Sequence, residues 1–200
     1  MEEREVGETI QVPYDLFTKE LDLVRNLLSI IRLKEDRESV RSIRPLASLR
    51  DEIGPLRSRI KDFTDRVYDA VLPLMLAYSV ACLEQFLRTA WEDRFGEPKK
   101  SMRHLFSQPK PLALKLRNNL GQKEVVSTAF KANAVAMKRH VLLHRNGVVD
   151  KDALAVFMEA GIKDVREGDR LSLSVQDVED AVDTVQRFAH EVRDVLLAAS

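Results

Sequence analysis

Apolar residues recur every three and four positions along most of this chain, which is the period of one face of an α-helix. The first such stripe lies in residues 14–33, and Pro13 suits an early helical position. A second stripe runs over residues 56–74. The intervening residues 34–50 are highly charged and contain Pro45, so they predict a loop or a short helix.

The middle of the chain predicts a long apolar helix. Residues 74–95 are apolar on nearly all sides in their first half, and Gly96 and Pro98 predict the helix end. Pro73 joins this segment to the preceding stripe. Because proline lacks an amide hydrogen, Pro73 should kink or divide the segment.

Shorter helices are expected in the second half. Residues 101–120 predict two of them, broken by Pro109 and Pro111 and closed by a glycine. Another helix is expected over about residues 123–145. The dipeptide Asn146-Gly147 predicts its end, since glycine readily takes the left-handed conformation.

The last part of the chain predicts one short and one long helix. Residues 150–159 form the short one, ended by Gly161, and 165–173 predict an irregular or extended connection. Ser174 to Asp177 reads as a helix N-cap. The final helix carries one apolar face, made of Val178, Val182, Val185, Phe188, Val192 and Val195.

These patterns predict an all-α protein, a helical bundle of four to five main helices with an extra N-terminal helix. We expect an N-terminal extension over residues 1–60 and the bundle over residues 61–200, together forming one compact unit. Hydrophobic residues make up 44% of the 200 residues, and there are only seven glycines and seven prolines. This composition excludes a collagen-like or disordered chain and disfavours a sheet sandwich.

The sequence predicts a cytoplasmic protein. Cys82 is the only cysteine, so no intrachain disulfide points to an oxidising compartment. The N-terminus reads Met-Glu-Glu-Arg-Glu, which is not a signal peptide. The longest uncharged run, Ala70 to Leu83, is short for a bilayer span, so a core helix is expected and no membrane partner.

Charge is distributed unevenly along the chain, although the formal net charge is zero. Residues 98–147 contain eleven lysines and arginines and one acid, Glu124, which gives this stretch a net charge of +10. Three of the four histidines, His104, His140 and His144, lie there as well. Such asymmetry indicates a polyanionic partner. The alternative is a set of solvated helix faces balanced by acids elsewhere in the fold.

Arg139 falls within the apolar face of its predicted helix. On a helical wheel Leu142, Leu143 and two earlier apolar residues lie within about 60° of it. A buried lone charge is very costly, so Arg139 needs a carboxylate or a phosphate. Glu84 is the one acid in the apolar segment 70–87, and we expect it to pair with Arg139 or to orient a histidine. The alternative is an ion pair that only fixes helix register.

His144 lies in the last turn of the same helix, where the helix dipole favours a protonated imidazole. Such a group suits general acid or base work on a ribose hydroxyl, while Arg139 holds the phosphate. A capping histidine is the alternative. A metal shared by His140 and His144 is not expected, because Val141 replaces the glutamate of the zinc pattern and no third ligand lies nearby.

Two segments carry a resemblance to a known family. Arg139 and His144 match the R-x4-6-H motif, within the longer run Arg139-His-Val-Leu-Leu-His-Arg-Asn-Gly147. This resembles the HEPN superfamily, in particular its RiboL-PSP-like group of prokaryotic ribonuclease and toxin-type proteins. The segment from Tyr78 to Leu87, with its glutamate, is similar to an earlier core helix of that group, and the C-terminal helix also fits. The resemblance covers residues 65–198.

The resemblance implies a homodimer that brings two such motifs to one cleft, in a toxin- or defence-type endoribonuclease that needs neither metal nor cofactor and leaves a 2′,3′-cyclic phosphate. Arg139 and His144 would be its catalytic pair. An antitoxin or another regulatory partner would be possible. The alternatives are a non-catalytic module that binds RNA, a nucleotide or a protein, and a purely structural helical protein. The other expected site residues are His140, Glu84 and Asn146 in support, and Lys131, Lys138 and Arg145 on RNA.

Overall fold

The computed structural model describes residues 3–40, 50–120 and 128–198, and their side chains over residues 10–32, 70–118 and 128–198. The described chain is all-helical, as predicted, and its only strand-like pairing is one isolated β-bridge. The elements in chain order are α1 (Glu3–Val40), α2 (Arg50–Phe95), a 3₁₀ helix (Lys100–Ser107), α3 (Pro109–Leu120), α4 (Ala129–His144), α5 (Lys151–Glu159) and α6 (Val175–Ala198).

The main core lies between α1, α2 and α6. Tyr14 and Phe17 of α1 pack on Phe86 of α2, with ring centroids 5.7 and 5.4 Å apart. Farther along α1, Glu20 meets Tyr78 of α2 through a hydrogen bond from the tyrosine hydroxyl. Since later residues of α1 meet earlier residues of α2, the two helices run antiparallel.

The amphipathic C-terminal helix closes this core. Its N-terminus carries the predicted cap: the Ser174 hydroxyl accepts from the Asp177 amide at 3.1 Å, and the Asp177 carboxylate accepts from the Ser174 amide at 2.9 Å. This reciprocal arrangement is a capping box, and it satisfies amide groups that the first turn leaves without partners. The predicted apolar face is buried, and Phe188 is fully inaccessible to solvent.

Several predicted boundaries were wrong. α1 begins at Glu3 and continues through Pro13 to Val40, so residues 34–40 are helical, in keeping with the good helix propensity of Glu, Lys and Arg. Pro73 does not divide α2. Helix breaks were expected at Pro109 and Pro111. The chain breaks once, before Pro109, because Pro109 takes the first position of α3 and the helix continues through Pro111.

α4 also begins later than predicted. Its first residue is Ala129, preceded by Thr128, whereas the sequence pattern placed the start near residue 123. Residues 121–127 and 41–49 lie outside the described residues, and so does the part of the expected loop or short helix that contains Pro45. The predicted division near residue 60 lies within α2 and stays a prediction, while the buried face of α1 belongs to the same core as α2 and α6.

Within the described residues, the segment Ala70–Phe95 is long and apolar enough to cross a membrane by length and composition. This segment is longer than the uncharged run Ala70 to Leu83, because it continues to Phe95. Core helices pass the same test, and one side of this segment packs into the main core. The cytoplasmic location therefore stays a prediction.

A second, smaller core joins the end of α4 to α5. Phe157 of α5 is fully buried there with Val141 of α4, Val149 and two alanines. The chain after α4 pairs with the connection before α6: the Leu171 amide donates to the Gly147 carbonyl at 2.8 Å, and the Val149 amide donates to the Asp169 carbonyl at 2.9 Å. The connection expected to be irregular or extended is thus extended where it pairs with the residues that follow α4.

Gly147 takes a left-handed backbone conformation in the turn after α4. Its φ is +78°, and an added Cβ would lie 3.4 Å from the Leu171 carbonyl oxygen, an ordinary van der Waals contact. We expect Gly147→Ala to lower the free energy of unfolding by about 1–2 kcal/mol, because L-residues resist this conformation. Gly161→Ala should lose a similar amount, since Gly161 has φ +81° and open space around it. Urea unfolding measures both; a negligible loss in Gly147→Ala would contradict the role of its backbone conformation.

Candidate nucleic-acid site

The candidate site begins at the C-terminal end of α4. The amides of Arg145 and Gly147 both donate to the Val141 carbonyl at 3.0 Å, which satisfies an otherwise free helix-end oxygen. Asn146 has φ +51°, so two consecutive residues take the left-handed conformation and turn the chain away. The helix stop predicted at Asn146-Gly147 is confirmed, and it leaves His144 exposed in the last helical turn.

Arg139 and Glu84 meet between α4 and α2. Nη1 of Arg139 lies 3.7 Å from Oε1 of Glu84, so the expected contact is present. Burial raises the pKa of the Glu84 carboxyl, and the guanidinium groups of Arg139 and Arg88 oppose that shift. The two side chains are 29% and 28% exposed, so the pair is half-buried and can be reached from solvent.

This contact leaves hydrogen-bonding capacity on both partners. At 3.7 Å the two charges attract each other, but the distance exceeds that of a hydrogen bond. Within the described part of the chain, Oε1 of Glu84 and Nε of Arg139 are buried and have no hydrogen-bond partner. Nε of Arg139 is thus closed to solvent, and an incoming anion would reach the guanidinium through its Nη groups, since the side chain is 29% exposed.

The wheel prediction for Arg139 needs one correction. Val135 is buried, but Leu143 is 41% exposed, so the apolar arc is only partly covered by neighbouring helices. Arg139 lies at the border of this covered part and not in the middle of a core. A half-buried position strengthens electrostatic attraction relative to water and still permits ligand access.

His140 and His144 lie one turn apart, with ring centroids separated by 5.2 Å. Burial lowers the pKa of His140, and the positive charges of Arg145, His144 and Arg139 lower it further. His140 is consequently a neutral imidazole at neutral pH, able to accept a proton. His144 is more exposed than His140 and has its neighbour's ring on one side.

A cleft of about 500 Å³ opens beside these residues, where α3, α4 and α5 converge. Arg139, His140 and Arg145 contribute to its lining, and Asn133 lies two turns earlier on the same face of α4. The remaining lining residues are Ser107, Gln108, Lys110, Pro111, Ala136, Met137, Asp152, Val156 and Glu159.

Arg145 is held at the rim of this cleft by Asp150. The two side chains form an ion pair, and the same carboxylate accepts the Ala153 amide at 2.9 Å as the N-cap of α5. One aspartate therefore fixes both the start of α5 and the direction of the Arg145 side chain. Arg145 and Arg139 therefore line the same cleft.

The other predicted RNA-binding lysines lie elsewhere. Lys131 and Lys138 line a separate cavity of about 190 Å³, and Nζ of Lys138 is 3.8 Å from Asp177. Asn146 lines a third space, a groove of about 530 Å³ that also involves Leu142. The structure thus brings Arg139, His140 and Arg145 to the cleft, with Glu84 beside Arg139 and His144 beside His140. The two lysines and Asn146 are separate from the cleft.

Acids from outside the basic stretch reduce its local charge. In the described residues, each of five cations of the stretch lies within 4 Å of a carboxylate from another part of the chain. The pairs are Arg103 with Glu97, Lys110 with Glu159, Lys138 with Asp177, Arg139 with Glu84 and Arg145 with Asp150. The alternative, in which acids elsewhere in the fold balance the charges of the stretch, therefore holds for these five cations. The residues that line the cleft define the candidate site better than the total charge does.

Among the described residues, no cluster of three or more His, Cys, Asp or Glu is arranged to hold a metal ion. His140 and His144 therefore have no third ligand there. The chemistry available at this site is that of two arginines, two imidazoles and the surrounding carboxylates. These groups suit anion binding and proton transfer.

The sequence interpretation missed the α5 wall of the cleft. Asp152, Val156 and Glu159 face it at spacings of four and three, which is the signature of one helix face. The Lys110 ammonium on α3 meets the Glu159 carboxylate at 2.6 Å and joins the two walls. The spacing was visible in the sequence, but nothing local indicated which face of α5 would meet α4.

The chain matches no protein-family model, no curated protein and no solved structure. A function for it therefore rests on its own side chains. Those that converge are an arginine with spare donors, two adjacent imidazoles and a cleft with mixed apolar and polar walls.

Proposed function

We propose that this protein is a HEPN-like, metal-independent endoribonuclease of toxin or defence type, with Arg139 and His144 as its catalytic residues. The observation that carries the proposal is the half-buried Arg139, which lines the cleft, is 29% exposed and lies 3.7 Å from Glu84, too far for a hydrogen bond. Its contact with Glu84 fixes the guanidinium at the cleft without consuming its donors. RNA offers a phosphate with two free oxygens to such a group.

The reaction is an attack of the ribose 2′-oxygen on the adjacent phosphorus. The new O2′–P bond forms as the P–O5′ bond breaks, giving a 2′,3′-cyclic phosphate and a free 5′-hydroxyl. Arg139 stabilises the negative charge that grows on the phosphoryl oxygens. His144 works as the base that takes the 2′-hydroxyl proton or as the acid that protonates the leaving 5′-oxygen.

A homodimer would supply both proton-transfer roles, with one His144 from each protomer. One exposed apolar residue lies within the motif and another follows it: Leu143 is 41% and Val148 is 42% exposed. Apolar side chains beside a functional group are common where a partner surface covers them. His140, neutral and adjacent, supports His144, and Arg145 adds a second positive charge for the RNA backbone. An antitoxin or other regulatory protein that covers this end of α4 would inhibit the enzyme.

The second candidate is a non-catalytic module that binds RNA or a nucleotide in the same cleft. The observation in its favour is the pairing of Arg145 with Asp150, which offsets one of the two arginine charges at the cleft. Such a module would bind RNA with an affinity that falls as salt rises and would release no fragments.

Incubation of the purified full-length protein with a labelled single-stranded RNA tests the proposal. We expect fragments that carry 2′,3′-cyclic phosphate ends, formed at an unchanged rate in EDTA, because neither Arg139 nor His144 needs a metal to act. Intact RNA would support the binding module. Cleavage that EDTA abolishes would reject metal independence and with it the assigned mechanism.

A further inference from the structure

The cleft beside Arg139 is larger than a phosphate group requires. Its volume of about 500 Å³ falls within the range of roughly 300–1,000 Å³ typical of small-molecule sites. Its apolar lining comes from three different helices and consists of Pro111 of α3, Ala136 and Met137 of α4, and Val156 of α5. Apolar groups on more than one wall suit a flat ring inserted between them.

Polar groups at the cleft suit a ring with a hydrogen-bonding edge. The Asn133 side-chain amide is half-buried and has no hydrogen bond in the described residues, so both its donors and its acceptor are available. Gln108 offers a second amide at the rim. Amide side chains of this kind read the edges of nucleobases.

The charges that line the cleft leave room for one phosphate rather than two. Asp152 and Glu159 of α5 contribute carboxylates, and Lys110 is occupied by Glu159 at 2.6 Å. Arg139 of α4 is the lining cation whose carboxylate contact, at 3.7 Å, is too long for a hydrogen bond. An occupant with one negatively charged group for Arg139 and a neutral polar ring for the rest of the cleft therefore fits best.

We propose that this cleft binds one unstacked base of single-stranded RNA, with the 3′-phosphate of that nucleotide at Arg139. The inference rests on the proposed function and adds its substrate class. A base within a duplex is stacked and paired, so it cannot enter a cleft of this shape. Planar guanidinium groups also stack on bases, and Arg139 and Arg145 both border the cleft.

Titration of the full-length protein with the four nucleoside 3′-monophosphates and with inorganic phosphate tests this proposal by calorimetry. We expect at least one nucleotide to bind about tenfold more tightly than phosphate, since a stacked base contributes that much or more. Equal affinities for phosphate and for all four nucleotides would overturn the base site.

Two variants of α5 locate the binding. Val156→Trp fills the cleft, and we expect it to reduce nucleotide affinity to that of phosphate while phosphate affinity stays unchanged. Ala155→Trp is the matched control, because Ala155 is the exposed neighbour on the same helix and does not line the cleft. Wild-type nucleotide affinity in Val156→Trp would count against the proposal.

Circular dichroism shows whether Val156→Trp folds. If it does not, Asn133→Leu tests the proposal in its place. We expect the affinity differences among the four nucleotides to shrink in Asn133→Leu, and an unaltered base preference would oppose the assignment. Failure of the base site is distinguishable from failure of the nuclease. Nucleotide binding without RNA cleavage rejects only the enzyme, and RNA cleavage without any preference of nucleotide over phosphate rejects only the base site.

Discussion

Arg139→Ala and His144→Ala should each lower the rate of RNA cleavage by roughly a hundredfold to ten-thousandfold. The arginine variant loses the group that stabilises charge on the phosphoryl oxygens, and the histidine variant loses the proton-transfer group. Neither side chain is fully buried, so both variants should retain the fold. Initial rates on a labelled RNA, together with circular dichroism and thermal melting, measure the two effects separately.

Arg103→Ala and His104→Ala are matched controls for these substitutions. Both residues lie in the same basic stretch, are exposed on the 3₁₀ helix and do not line the cleft. Cleavage rates should stay close to that of the wild type in both. Persistent cleavage in Arg139→Ala and His144→Ala, or an equal loss in the controls, would remove the assignment of the catalytic pair.

Phe157→Ala should lower the free energy of unfolding by about 3–5 kcal/mol, which is typical of an aromatic side chain removed from a packed core. Phe157 is fully buried in the smaller core that holds α5 against the end of α4. Since Val156 and Glu159 flank it and line the cleft, we also expect weaker nucleotide binding in this variant. Urea unfolding followed by circular dichroism gives the stability change.

The adjacent Met158→Ala is the control for Phe157→Ala. Met158 is 55% exposed, so its truncation should change the unfolding free energy by less than about 0.5 kcal/mol. A loss of similar size in both variants would mean that α5 depends on its helix propensity more than on the small core. A negligible effect of Phe157→Ala would show that α5 packs differently.

The helical class and the contact of Arg139 with Glu84 were predictable from the sequence. Period and caps define helices locally, and the capping box at Ser174 to Asp177 is an example in which two neighbouring side chains satisfy the backbone. The contact was predictable because a charge on an apolar helix face needs a partner of opposite charge. Glu84 was the one acid in the apolar segment 70–87 and therefore the expected partner of Arg139.

The site's boundary was not predictable, because it depends on which helix covers which arc. A helical wheel treats Leu143 and Val135 alike, but the neighbouring helices bury only Val135. Likewise, total charge grouped Lys138 with Arg139, whereas the packing of α4 points Lys138 toward Asp177. Adjacent helix positions diverge by about 100°, so neighbours in sequence reach different surfaces.

The backbone hydrogen bonds between residues 147–149 and 168–171 pin together the two ends of the excursion that contains α5. A change in the length of a closed loop alters its closure entropy only slowly. The exposed and cleft-lining positions of this segment can therefore change, provided that Phe157 and Asp150 still hold α5 and Arg145 at the end of α4. In the proposed enzyme, a change at Val156 would then be able to alter the choice of base while Arg139 and His144 stay the same.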